Sequence, residues 1–567
     1  MVSALLSIAG SVLVGLSQTG RESVGAPVPK ERMAVLDGLR WLARHQNPDG
    51  SWGARSSRAQ CSKDASCWDA EVEATDHYDT GLTALALLGF LGAGFEDGTE
   101  QDLVDPGTSM RYPIGPLVRR GLEWLRAQQR SDGSFTPERS FLYNDALATM
   151  AFAEAYRLTL DPAWSDVAQK GVLQIEAAQR KNPSGEGAWG WRYQSRKALE
   201  EDARTMPDGE LYLRLQDADT SVTGWCILAL DAAWLAGLDV QWATMAGAVH
   251  FVRSVTGENG LVGYTDAKSA GATVQGPFSE QFTYHPTTMS ALGMCIRTFT
   301  THDPEDPFFH LAAKRIVQDS PAVSESRDSI DYYYWHVATI ALHQLDGPES
   351  PVKTGRYWGP WNKAVLETLL SLQVRREGAC CHGGWVVDDR WAKYSGAGPL
   401  LSTALNVLTL ETRDRRPNAF AALAKVGTAA PDFAVTDDLG AKCSLADLSG
   451  RVVLLDFARP TSPSASRRYL DSRKALAVRL RGKPFTLWTL GLRGEGSVRL
   501  PTAEERDAPD WRLLEGADPA LQSYRVGQRP TTVVVDPRGW IRGWGLSWTA
   551  TTELIDELLA EIDARPK

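Results

Sequence analysis

Two carboxylates one residue apart, in Gln216-Asp217-Ala218-Asp219-Thr220, stand just ahead of the apolar run SVTGWCILALDAAWLAG. Paired acids are the residue types that proton-transfer chemistry needs, which makes Asp217 and Asp219 the candidate catalytic groups. Their place before an apolar helix also fits a plainer role. Asp at an N-cap accepts hydrogen bonds from the unsatisfied amides of the first turn. The same choice applies to Asp79 and Asp145, each of which opens an apolar run. His77, His285, Asp331, Tyr333 and His336 are the other polar or aromatic groups at such starts. Sulfur chemistry has fewer openings. Cys61 and Cys67 flank a short polar loop and could bridge in an oxidising compartment, whereas the adjacent Cys380 and Cys381 are strained partners for each other. Cys226 and Cys295 lie in apolar runs and read as buried core thiols.

The elements that must position these groups come as a repeat. GLRWLARHQNPDGSWG at 38–53 is echoed by GLEWLRAQQRSDGSFT at 121–136, GVLQIEAAQRKNPSGEGAWGW at 171–191, AVHFVRSVTGENGLVGY at 248–264 and LLSLQVRREGACCHGGW at 369–385. Each copy reads as an amphipathic helix stopped by Asn, Pro, Asp or Gly, with an aromatic or apolar residue just beyond. FFHLAAKRIVQ at 308–318 is a further first helix whose ending has eroded. A second helix, apolar on nearly every side, follows each, at 79–94, 145–158, 219–237, 285–299, 332–345 and 398–411. Units of this kind must stack, because none can bury its apolar face alone. Helices apolar all round belong inside and amphipathic ones outside, so six pairs are expected to close into an all-α, double-layered α6–α6 toroid.

The Gln…Gly-Ser-Trp endings resemble the QW repeats of the squalene–hopene cyclase and prenyltransferase superfamily, over roughly residues 33–415. The resemblance implies an α/α toroid whose cavity opens at the N-termini of the inner helices. That would bring His77, Asp79, Asp145, Asp217, Asp219, His285, Asp331, Tyr333 and His336 to one end as candidate ligand contacts. It also implies a catalytic acid, which hopene-type cyclases carry in Asp-x-Asp-Asp-Thr. Aligned on Asp219-Thr220, the proton-donating position holds Ala218 and the first Asp is Gln216. Protein prenyltransferases instead hold zinc with Asp, Cys and His. Asp331-Tyr-Tyr-Tyr-Trp-His336 has a different spacing, and Cys380-Cys381-His382 offers adjacent ligands without a second pair. No metal site and no cofactor are expected.

After the Pro-, Arg- and Ala-rich stretch 413–427 the pattern changes to strands around one amphipathic helix, with a second helix at the end. The expected division is an apolar N-terminal segment and spacer 1–30, a toroid 31–415, a linker 416–425 and a second, α/β domain 426–567. The order of elements resembles the thioredoxin-like fold of the alkyl hydroperoxide reductase/thiol-specific antioxidant and thiol–disulfide oxidoreductase families. The residues that carry this are Pro431-Asp432-Phe433, VVLLDF at 452–457 and Arg529-Pro530-Thr531, with Pro530 at the family's cis-proline position. Thioredoxin chemistry needs Cys-x-x-Cys at the start of the first helix. Ser462 and Ala465 occupy those two places, so the domain is expected to be redox-inactive.

Hydrophobic content of 43% excludes a disordered chain, and a net charge of −10 offers no basic field to phosphate backbones, which excludes nucleic acid. Twenty Trp suit repeated wedges between helices or an aromatic-lined cavity. VSALLSIAGSVLVGL at 2–16 has the length of a signal-peptide core, though no basic residue precedes it, and predicts export or membrane anchoring. The combined expectation is a ligand- or protein-binding scaffold, with protein partners met through the thioredoxin-like domain. Two alternatives stand beside it. One is a terpenoid cyclase- or prenyltransferase-type enzyme with Asp217 or Asp219 as a displaced acid and an isoprenoid or other small apolar ligand. The other is an antioxidant or oxidoreductase role for the second domain.

Overall fold

The computed structural model describes residues 29–563 apart from 62–66, 69–75, 137–140, 160, 184–187, 204–205, 208, 237, 270, 272, 276–280, 302–305, 326, 328, 349, 351, 353, 387–388, 390, 393–395, 416–428, 438–439, 459–462, 492–509, 516–523, 525–530 and 545–547. The N-terminal segment 1–28, the linker, Ser462 and Pro530 lie outside the described residues, as does the side chain of Ala465.

Helices alternate along the chain between an amphipathic and an apolar kind. In chain order they are α1 (Lys30–Arg44), α2 (Asp79–Gly92), α3 (Ile114–Ala127), α4 (Leu142–Thr159), α5 (Pro162–Ala178), α6 (Arg196–Asp202), α7 (Glu210–Arg214) and α8 (Thr220–Leu235). Then come α9 (Trp242–Ser254), α10 (Thr288–Thr301), α11 (Pro307–Gln318), α12 (Tyr332–Asp346), α13 (Trp358–Leu372) and α14 (Pro399–Leu410), with a last turn α15 (Thr412–Arg415). The apolar helices pack in a ring: α2 on α4, α4 on α8, α8 on α10, α10 on α12, α12 on α14, and α14 back on α2. The amphipathic helices α1, α3, α5, α9, α11 and α13 cover that ring from outside. Burial follows the composition. Every residue of α2 from Thr80 to Leu91 is buried, while α3 buries one stripe made of Ile114, Leu117, Val118, Gly121, Leu122 and Leu125.

The turn motif explains how neighbouring pairs are joined. Gln46 Nε2 donates to the carbonyl of Gly50 in its own turn (2.9 Å) and to that of Leu117 in α3 (3.0 Å). Gln129 repeats this with Gly133 and Val167 of α5, Gln179 with Trp189 and Thr244 of α9, and Gln373 with Gly383 and Ala34 of α1. The last of these closes the ring. Each turn Trp then donates its indole N–H to a carbonyl near the end of its own helix: Trp52 to Leu42, Trp191 to Ile175 and Trp385 to Leu369. The amides of Trp52, Trp191 and Trp385 are taken by Thr83, Thr223 and Thr403, one turn into the paired inner helix. Gly383 is required by two constraints at once. Its φ is +85°, and a Cβ there would lie 2.2 Å from the Asp37 carbonyl of α1.

The connections hold elements that the sequence pattern did not suggest: α6, α7 and the small antiparallel hairpins β1 (Asp102–Val104) with β2 (Arg111–Pro113) and β3 (Thr273–Gln275) with β4 (Gln281–Thr283). All are too short for a periodic signal.

The C-terminal part is a sheet of β5 (Ala434–Asp437), β6 (Lys442–Ser444), β7 (Val452–Ala458), β8 (Phe485–Gly491), β9 (Trp511–Glu515), β10 (Thr531–Val535) and β11 (Ile541–Trp544). Its order is β11-β10-β7-β8-β9-β5-β6, with β7, β8 and β9 parallel. Helix α16 (Pro463–Arg479) follows β7, and α17 (Trp548–Asp563) ends the described chain. Every residue of β7 is buried because both faces are covered, one by Phe433, Trp488 and Tyr524 and the other by Leu476, Ile555 and Leu558.

If the Gln side chains hold neighbouring pairs together, Gln373→Met removes two buried hydrogen bonds and destabilises the chain by about 1–3 kcal/mol in urea unfolding. Gln128→Met removes a bond to Trp124 inside one helix and changes stability by no more than about 0.5 kcal/mol. Equal effects would show that the bridging is incidental.

Candidate functional site

The acids at the start of α8 are held by an arginine from the preceding turn. Asp219 caps α8, with Oδ1 accepting from the Val222 amide at 2.8 Å, and its Oδ2 meets Arg192 at 3.0 Å. Arg192 Nε also reaches Asp217 Oδ2 at 3.1 Å. Asp219 is fully buried and Asp217 is not; the Asp217 side chain is 43% exposed. Burial pushes the Asp219 carboxyl up to about 6, although Arg192 and the Val222 amide pull the other way. The guanidinium lies over the rings of Tyr193 and Tyr264, 5.0 and 5.1 Å from their centroids.

From there a network of rings and hydroxyls crosses the N-terminal end of the inner ring. Tyr193 and Tyr264 share a hydroxyl contact of 2.5 Å, and Tyr264, Tyr284, Tyr333 and Trp391 form a run of ring contacts. Ser221 bridges the hydroxyls of Tyr143 (2.6 Å) and Tyr333 (2.7 Å), and Trp225 Nε1 donates to the Tyr333 hydroxyl at 3.2 Å. His336 stacks on Trp225, and its Nδ1 meets Thr409 Oγ1 at 3.1 Å. Asp331 caps α12 through the Tyr334 amide and accepts from Trp391 Nε1, while Asp389 takes the Tyr332 amide. Burial, then the nearby Asp331, pushes Asp389 up to about 7.

The structure therefore joins Asp217, Asp219, Asp331, Tyr333 and His336 into one region and separates the rest. His77 is exposed and lies at its rim, 4.9 Å from Phe141. His285 stacks on Tyr334, whose hydroxyl donates to carbonyls at the end of α11, so it belongs to the seam between layers. Asp79 and Asp145 cap neither α2 nor α4. Their carboxylates accept from turn amides, Ala54 for Asp79 at 3.0 Å and Phe135 for Asp145 at 2.7 Å, and burial pushes both up to about 7. Arg192, Tyr143, Tyr193, Tyr264, Tyr284, Trp391 and Asp389 were absent from the sequence-based set. One signal was available, since Arg192 and Tyr193 directly follow a turn Trp and Tyr264 ends the next copy.

Below this network the described residues leave little space. The space enclosed by Met150, Trp225, Leu228, His336, Ile340 and Leu408 is about 20 Å³, room for a single water. At the far end Arg415 pairs with Glu154 (2.7 Å) and donates to the Leu88 carbonyl (2.6 Å), closing the bore with a buried ion pair.

The thiols supply a second cluster. Cys61 and Cys67 are not joined to each other, contrary to the bridge their spacing suggested. They meet Cys380 and His45, and one ligand atom from each of the four lies within 4.8 Å of the others. Cys381 and His382, adjacent in sequence, stay outside it. In the sheet, Cys443 Sγ contacts the Val435 carbonyl at 3.7 Å on the edge pair β5–β6, four strands from β7. Burial pushes that thiol up.

No known protein-family profile matches the chain, and no curated protein sequence does. Solved structures share parts of the fold. The thioredoxin domain of a thiol–disulfide oxidoreductase from Bacteroides vulgatus is similar at 24% identity, over 24% of this chain and 98% of that one, with a TM-score of 0.20. A thioredoxin from Neisseria meningitidis, solved in solution, is similar at 25% identity over 24% of this chain and 93% of that one, TM-score 0.21. An inactive variant of an α-1,6-mannanase from Salegentibacter, in complex with α-1,6-mannotriose, is similar at 13% identity over 68% of this chain and 99% of that one, TM-score 0.43.

Asp145 gives a test of the buried acids. Among the described residues its Oδ2 meets no donor. With the folded carboxyl pushed up to about 7 and an ordinary unfolded one near 3.8, the native state binds more protons between those values. Its stability therefore falls as pH rises through that window. Asp145→Asn keeps the acceptor for Phe135 and does not titrate, so it gains on the parent from pH 4 to pH 8 by on the order of 2 kcal/mol in urea unfolding. An equal difference at both pH values would sink the reading.

Proposed function

We propose that this chain is a binding scaffold, with an α/α toroid whose inner N-terminal end is built from an aromatic, hydrogen-bonded network and a thioredoxin-like domain that carries no electrons. The observation that supports this most directly is the engagement of Asp219. One oxygen caps α8 and the other is ion-paired with Arg192, which also holds Asp217. A general acid must present its proton to a substrate, and both oxygens of Asp219 are already engaged, one by a helix amide and the other by a guanidinium. The small space of about 20 Å³ among the described residues of the ring points the same way, because drug-sized ligands occupy pockets of roughly 300 Å³ or more. The Gln and Trp stitching supports kinship with the cyclase and prenyltransferase repeats as an architecture, without their reaction. In the second domain, serine and alanine where the cysteine pair belongs, and a lone Cys443 at the opposite sheet edge, support contact rather than redox work. Among the described residues no helix is long and apolar enough to cross a membrane. We place the protein outside the cytoplasm on the apolar run 2–16, and fractionation of cells carrying the full chain tests that placement.

Incubating the full chain with squalene and with a linear isoprenyl diphosphate is expected to give no cyclised or transferred product by gas chromatography–mass spectrometry. Product that disappears in Asp219→Asn would overturn the scaffold reading. Insulin reduction with dithiothreitol is expected at the background rate for the full chain and for Cys443→Ser alike. Turnover lost in Cys443→Ser would restore a redox role.

A further inference from the structure

We propose that His45, Cys61, Cys67 and Cys380 form a structural zinc site that fastens the first helix pair of the ring to the last. The four come from three places. His45 ends α1, Cys61 and Cys67 lie between α1 and α2, and Cys380 lies between α13 and α14, more than 300 residues further on.

The spacing is that of a tetrahedron's edges. Tetrahedral zinc with Zn–S near 2.3 Å and Zn–N near 2.0–2.1 Å sets its ligand atoms about 3.8 Å apart for S and S and about 3.6 Å for S and N. Here His45 Nε2 lies 3.7 Å from Cys67 Sγ and 3.5 Å from Cys380 Sγ, and Cys380 Sγ lies 3.5 Å from Cys61 Sγ. A disulfide needs about 2.05 Å, so the sulfurs stand apart as ligands do. Three thiols and one imidazole are a soft set that selects zinc, and four protein ligands leave no open position, as in structural sites.

The surroundings fix the ligands. His45 Nδ1 donates to the Trp41 carbonyl at 2.8 Å, which selects the tautomer with its Nε2 lone pair facing the thiols. Trp41 stacks on the imidazole at 4.0 Å, and Trp68 packs edge-on at 5.4 Å, so the ring is held in place. The Cys67 amide donates to Cys61 Sγ at 3.1 Å, a bond that favours thiolate. Arg44 donates to the carbonyls of Cys380 and His382 and pairs with Asp105, anchoring the turn that delivers Cys380. The location matters as much as the geometry. A toroid's first and last units have no covalent link except the long way round, and this cluster sits at that seam beside the Gln373–Ala34 bond.

The full chain, expressed with zinc in the medium and purified without metal-affinity resin, is expected to carry about one zinc by inductively coupled plasma mass spectrometry. Cys61→Ser and Cys380→Ser should lose it, while Cys381→Ser, outside the cluster, keeps it. Those variants can fail to fold, so the unmodified chain supplies an independent measurement. Titration with an organomercurial should release zinc to a chromophoric chelator as three thiols are capped. Substoichiometric zinc in the folded chain, zinc that stays when the thiols are blocked, or a mapped disulfide among Cys61, Cys67 and Cys380 would each overturn the proposal.

Discussion

The side-chain amide of one glutamine in each of four repeats carries the architecture. Its two hydrogens go to two carbonyls, one in its own turn and one in the neighbouring outer helix, and no other neutral side chain offers two donors in that geometry. Gln46, Gln129, Gln179 and Gln373 all make this pair of bonds. The outer-helix residues at these sites are buried, and a buried hydrogen bond of this kind contributes about 0.5–1.5 kcal/mol. The bond therefore specifies which helix comes next and at what height. Apolar packing alone would hold the layers together without fixing their register.

That constraint decides what the acids of the molecule do. Once the turns are locked, their remaining amides need acceptors, and Asp79 and Asp145 supply them from the inner layer. Asp219 serves its own helix and Arg192. Carboxylates of a type suited to catalysis thus take part in the hydrogen bonding of the ring. What is left at the inner N-terminal end is a buried and half-buried network of tyrosine, tryptophan and one arginine.

The ring is unevenly secured. Among the described residues the copies ending at Tyr264 and Gln318 show no glutamine bridge, yet α9, α10 and α11 remain in the circle through packing. The seam between last and first units has the opposite character, with Gln373, Arg44 and the thiol–imidazole cluster concentrated there. A closed ring loses most if it opens where the chain does not connect, so the strongest directional interactions fall at that point.

Periodicity in the sequence was enough to establish the helix pairs, their inner and outer character and the sheet that follows, because these depend on which residues neighbour each other along the chain. The turn motif and the apolar all-round helices were legible for that reason, and so was the absence of a cysteine pair at Ser462 and Ala465. The site was legible only in part. Asp219 and Tyr333 were visible by type, but Asp79 and Asp145 were assigned to the wrong amides, since a cap on the next helix and a brace for the preceding turn have the same local sequence. His45 with Cys61, Cys67 and Cys380 could not be read at all. Ring closure brings residues 335 positions apart within 3.5 Å, and only the tertiary fold decides which distant ends meet.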